Sequence, residues 1–105
     1  MKLLALAAAC LITAGCASED PAQTARAMAQ VFVRQQLKAP DSARFSTESE
    51  TTVQQLADGV WQVKGWVDAP NALGATLRSD FYCELYPDPA DPETWKRRNL
   101  LITPR

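Results

Sequence analysis

Apolar and polar positions along the chain change rhythm three times. Residues 3–13 form an uncharged apolar run behind Lys2. From Asp20 the pattern becomes helical, with Ala25, Met28, Ala29, Phe32, Gln36 and Leu37 recurring on one side. Arg26, Gln30, Arg34 and Lys38 mostly fall off that stripe. Asp20-Pro21-Ala22-Gln23 supplies a cap, a proline suited to the first helical position and a glutamine able to close a capping box. The spacing predicts a helix running to Lys38, stopped by Pro40, which pushes Ala39 out of helical geometry.

Beyond Phe45 the period drops to two. Residues 46–56, rich in Thr, Ser and Glu, predict an exposed edge strand. Asp58-Gly59 is a hairpin signal leading into residues 60–67, where Trp61, Val63 and Val67 share one face. Residues 75–86 give the cleanest alternation: Leu77, Phe81, Cys83 and Leu85 point one way, and Arg78, Asp80, Tyr82, Glu84 and Tyr86 the other. Cys83 thus falls among core residues and reads as a small apolar side chain. Trp66 depends on Gly65: in a regular strand it lies opposite Trp61, whereas a bulge at Gly65 returns it to the core. Pro87, Pro89 and Pro92 predict a rigid loop, and residues 95–102 read equally as a short strand or a helical turn. The expectation is one α+β domain, an N-terminal helix packed on a three- or four-stranded antiparallel β-meander.

The opening segment narrows the setting. An apolar run of this length is shorter than the roughly twenty residues a membrane span needs, and it has the layout of a secretory signal peptide. Thr13-Ala14-Gly15-Cys16 resembles the lipobox of bacterial lipoproteins, with small residues directly before a cysteine. That resemblance implies a signal peptide over residues 1–15, a lipidated Cys16 with a short tether over residues 16–19, and a small domain over residues 20–105. Two or three acyl chains would fix the chain to a bilayer, since each buried methylene contributes about 0.8 kcal/mol. Ala17, rather than an aspartate, follows Cys16, which in Gram-negative lipoproteins favours the outer membrane, facing the periplasm.

Composition removes several function classes. The chain has 11 Lys+Arg against 12 Asp+Glu, a balance with no general attraction for nucleic acid; Lys96-Arg97-Arg98 is the local exception. The chain has no histidine, so Ser-His and Cys-His nucleophiles are ruled out. There is no Gly-rich phosphate loop. With Cys10 removed and Cys16 lipidated, Cys83 is left alone, without a disulfide partner or a zinc set. No enzyme, no cofactor and no metal are expected.

Two further segments carry a resemblance. Leu37-Lys38-Ala39-Pro40-Asp41-Ser42-Ala43-Arg44-Phe45 resembles a bacterial LKAPSTAKF motif. The stretch from Val67-Asp68-Ala69-Pro70-Asn71 to Leu73-Gly74-Ala75-Thr76-Leu77-Arg78 resembles a companion VDxxNxFGAxxR, followed by the Phe81-Tyr82-Cys83 strand. The pair is similar to an uncharacterised family of small bacterial α+β envelope domains, which implies a fold and no activity. Asp68, Asn71 and Gly74 have plain roles as turn residues. Arg78 has Asp68, Asp80 or the turn carbonyls within reach.

The function expected is a membrane-anchored, periplasm-facing accessory module, non-catalytic, that binds or braces an envelope protein or glycan. The candidate contact residues are Trp66, Asn71, Arg78, Tyr82 and Tyr86, beside Cys16 for the bilayer. The alternative is an inhibitor or immunity-type lipoprotein acting against a periplasmic hydrolase or toxin.

Overall fold

A computed structural model describes residues 20–105. The signal peptide, the lipidated Cys16 and its tether all fall outside the described residues. One helix, α1 (Pro21–Arg34), precedes five antiparallel strands: β1 (Arg44–Phe45), β2 (Thr52–Ala57), β3 (Val60–Pro70), β4 (Thr76–Asp88) and β5 (Asp91–Pro104). The fold is α+β, and the strand count exceeds the three or four expected.

Helix α1 starts as its sequence dictates. The Asp20 carboxylate accepts from the Ala22 backbone N–H at 3.0 Å, with Pro21 in the first turn. Gln23 closes no capping box; its amide donates to Glu48 instead, and its carbonyl accepts from Arg26. The helix also ends at Arg34, short of Lys38. Gln36 N–H bonds Val33 C=O at 2.9 Å and Leu37 N–H bonds Arg34 C=O at 3.1 Å, a tighter three-residue turn. Gln36 is therefore exposed rather than part of the buried stripe, and Val33 takes its place. Pro40 opens a short 3-10 turn, Pro40–Ser42, instead of stopping the helix.

The sheet is built on the β3–β4 hairpin. Trp61 opposes Leu85, Val63 opposes Cys83, Gly65 opposes Phe81 and Val67 opposes Ser79, so one face is apolar along both strands except at Ser79. Ala25, Ala29 and Val33 of α1 close over Val63, Val67, Phe81, Cys83 and Leu85, all buried. Small side chains on the helix let it approach the sheet closely. Cys83 is fully buried there, and loss of solvation pushes its thiol up to about 11. In the native chain Cys83 is expected to resist iodoacetamide at pH 8 and to react once urea unfolds the domain. Mass spectrometry of both samples checks this; prompt native labelling would contradict the burial.

Both edges differ from the expected meander. On one side, β1 and β2 pair the same strand in registers four residues apart. Phe45 opposes Val67, yet Thr52, not residue 48, opposes Lys64. The edge strand is broken, and residues 46–51 loop out of it around a 3-10 turn, Glu48–Glu50, boxed by Thr47 and Glu50. At the other side the proline-rich segment is no extended loop. β4 runs to Asp88, Pro89-Ala90 turn the chain, and β5 begins at Asp91. Pro92 lies in a stretch that skips the ladder, which suits a residue without an N–H. Residues 95–102 are strand, with one residue, Arg98, inserted between the pairs Leu85–Arg97 and Glu84–Asn99.

Candidate functional site

The helix covers one face of the sheet and leaves the other open. Alternation places Lys64, Trp66 and Asp68 of β3 on the open face, beside Arg78, Asp80, Tyr82, Glu84 and Tyr86 of β4. Leu101 and Thr103 of β5 complete it, opposite Tyr82 and Asp80. Trp66 is on this face because β3 stays in register through Gly65: Trp66 pairs directly with Asp80 and no bulge intervenes. The irregularity sits in the neighbouring strand, at the Ser46 loop.

Charge on the face is organised in pairs. Arg78 grips Asp68 through both ends of its fork, Nε to Oδ1 at 2.7 Å and Nη2 to Oδ2 at 2.9 Å. The same guanidinium lies 3.6 Å from the Trp66 ring centroid, stacked on the indole. Arg105 takes Asp80 at 2.8 Å, Arg98 takes Glu84 at 2.9 Å, and Lys96 approaches Asp88 at 3.6 Å. All four ion pairs found among the described residues lie here. Gln62 donates to the Tyr82 hydroxyl at 3.1 Å, and that hydroxyl in turn donates to Glu84.

These contacts move the titrations apart. The Arg78 hydrogen bonds hold Asp68 below the usual carboxylate range, and Arg105 does the same to Asp80. Hydrogen bonds from Tyr82 and then Arg98 lower Glu84, while the bond to Glu84 raises Tyr82. Glu50 is lowered by the Thr47 backbone N–H. No shift brings these groups toward neutral pH, where general acid–base chemistry operates. What the face offers is aromatic surface with fixed polar partners, the chemistry of binding. A groove of about 400 Å³ runs along it between the Glu50 end of the looped-out segment and β5, with Trp66, Tyr82, Leu101 and Arg105 in its walls.

Of the residues singled out by sequence, Trp66, Arg78 and Tyr82 come together, and Tyr86 extends the same row beyond Glu84. Asn71 does not join them. It lies in the β3–β4 turn, where its side-chain oxygen accepts from Leu73 N–H at 2.9 Å and Ala75 N–H at 3.0 Å. Gly74, at φ 86°, completes that turn. Lys64, Glu50, Leu101 and Arg105 escaped the sequence reading. Lys64 was visible as an outward position opposite Val63 in the strand alternation; the other three depend on the broken edge and on β5. Among the described residues no three His, Cys, Asp or Glu side chains are grouped to hold a metal, and no helix is long and apolar enough to cross a membrane. No family model, curated protein or solved structure matches the chain.

Proposed function

We propose that this chain is a lipid-anchored envelope lipoprotein, facing the periplasm from the outer membrane, and that its domain is a non-catalytic binding or structural accessory module. The observation that carries the reading is the open sheet face, where Trp66 stands outside the core with Arg78 stacked on it. Trp66 is half-buried, and a partly covered tryptophan on a sheet face is a residue that interfaces favour. The pairwise cancellation of charge favours a partner held by aromatic contact and directed hydrogen bonds over one attracted by field alone. The lipobox ending at Cys16 supplies the setting.

Two measurements test the halves separately. Intact-mass analysis of the membrane fraction is expected to show the chain from Cys16 onward with added acyl mass, and Cys16→Ser to release it; an unmodified, unprocessed chain would remove the anchor from the proposal. A photo-crosslinking residue in place of Trp66 is expected to capture an envelope protein or glycan in intact cells, and one in place of Ala27, exposed on α1, far less. Equal capture, or none, at both positions would overturn the binding role. Capture of a periplasmic hydrolase would turn the reading toward inhibition.

A further inference from the structure

The open face does not use the outer edge of β5. β5 ends the strand order, and no described strand pairs with its outer side. Which of its backbone groups point outward follows from register. Arg105 N–H bonds Arg78 C=O at 3.0 Å, so Arg105 and, by alternation, Thr103, Leu101 and Asn99 turn their N–H and C=O inward to β4. Leu100 and Ile102 therefore present theirs to the outside. Their side chains point to the helix side of the sheet, opposite Cys83 and Phe81, and are only partly buried.

Natural sheets protect such edges, and this one is protected at its ends alone. The Arg98 bulge interrupts the ladder before Asn99, and Pro104 offers no N–H after Thr103. Between them lies a window of two free donors and two free acceptors. A groove of about 560 Å³ borders the window, with Leu37, Leu100 and Ile102 as its apolar residues and Gln36, Arg97 and Arg98 as polar ones. No acidic residue lines it. Arg98 turns to Glu84 on the opposite face, but Arg97 has no ion-pair partner among the described residues.

We propose that this edge is a strand-addition site for an extended acidic peptide segment. The peptide would lie antiparallel to β5 and exchange backbone hydrogen bonds with Leu100 and Ile102. One apolar side chain would sit against Leu37, and a carboxylate would meet Arg97. Strand addition gives affinity through the main chain and specificity through alternate side chains. The groove's excess of positive charge selects the acidic occupant. A second copy of this chain is the poorer fit, because it would bring its own Lys96-Arg97-Arg98 run to the same edge.

The test uses the full chain in detergent micelles and a fluorescein-labelled, capped peptide with Val and Glu two residues apart, separated by Thr, so that both face the helix side of the sheet. Fluorescence anisotropy is expected to show saturable binding that weakens with salt. Hydrogen exchange is expected to slow at the Leu100 and Ile102 amides and not at β2. Arg97→Glu is expected to weaken binding roughly tenfold, and the same peptide with Lys in place of Glu, or one N-methylated on alternate residues, to bind far less. No binding at millimolar peptide, an undiminished affinity in Arg97→Glu, or protection elsewhere would overturn the proposal. Concentration-dependent dimers that protect the same amides without peptide would assign the edge to a second copy instead, and overturn it equally.

Discussion

Leu85→Ala is expected to remove about 3 kcal/mol of stability, within the range that emptying a well-packed leucine site produces. Leu85 is fully buried in the C-terminal half of β4, opposite Trp61, and has the largest side chain of the completely buried set. The surroundings have little freedom to collapse into the space. Strands β3 and β5 hold it on either side, and α1 above it contributes only alanines and Val33 to the fully buried layer. A domain this size has about 5–10 kcal/mol in total, so the variant would be left with about 2–7 kcal/mol. The melting temperature should fall by about 12–20 °C. Leu77→Ala is the matched control: the same strand and sheet face, but 46% exposed near the β3–β4 turn. Its loss should stay below about 1 kcal/mol. Urea titration of both variants decides the matter, and equal losses would mean that the helix does not cover β4 where the structure places it.

That contrast between Leu77 and Leu85 also marks what the sequence could and could not convey. Alternation placed both on one face, correctly, because period two is a property of a single strand. It could not say that the helix stops at Arg34 and leaves the Leu77 end bare. The last strand was ambiguous for a related reason. Trp95 and Arg97 share the core-side parity before the Arg98 bulge, and Leu100 and Ile102 share it afterwards. The inserted residue switches odd for even, so no single alternation runs through residues 95–102. The broken edge was hidden more deeply. Phe45–Val67 and Thr52–Lys64 differ in register by four residues, a relation between strands that no window of one strand contains. The site inherited these gaps. Tyr82 was legible as an alternating position and Trp66 hung on whether Gly65 made a bulge, whereas Arg98–Glu84 and Arg105–Asp80 join positions 14 and 25 residues apart across a ladder that had yet to be established.

Gly65→Ala is expected to be the most damaging single-methyl change, at about 2–3 kcal/mol and about 10–20 °C in melting temperature. A Cβ on Gly65 would stand 2.4 Å from Ser46 Oγ and 3.0 Å from Phe81 Cζ. Neither neighbour can withdraw cheaply. Ser46 is buried at the point where the edge strand breaks; its N–H donates to Trp66 C=O at 2.9 Å, and its hydroxyl accepts from Trp66 N–H at 3.2 Å and contacts Thr51 Oγ1 at 2.7 Å. Phe81 is buried and packed edge-on against Phe45. The strain is therefore steric and belongs to the junction that ties residues 46–51 to β3. Gly59→Ala makes the useful comparison, because that glycine needs its positive φ of 74° but has open space around its missing Cβ; its cost should be near 1 kcal/mol and confined to the hairpin. Gly65→Ala should in addition loosen the loop carrying Glu50 and shift Trp66 fluorescence, since Trp66 is held by the same serine. Ser46→Ala removes the clashing oxygen at the expense of an unpaired Trp66 N–H. Combined with Gly65→Ala it should cost less than the two single losses added together. Strict additivity would show that Ser46 is not what the glycine accommodates, and that the break in the edge strand is held by something other than this contact.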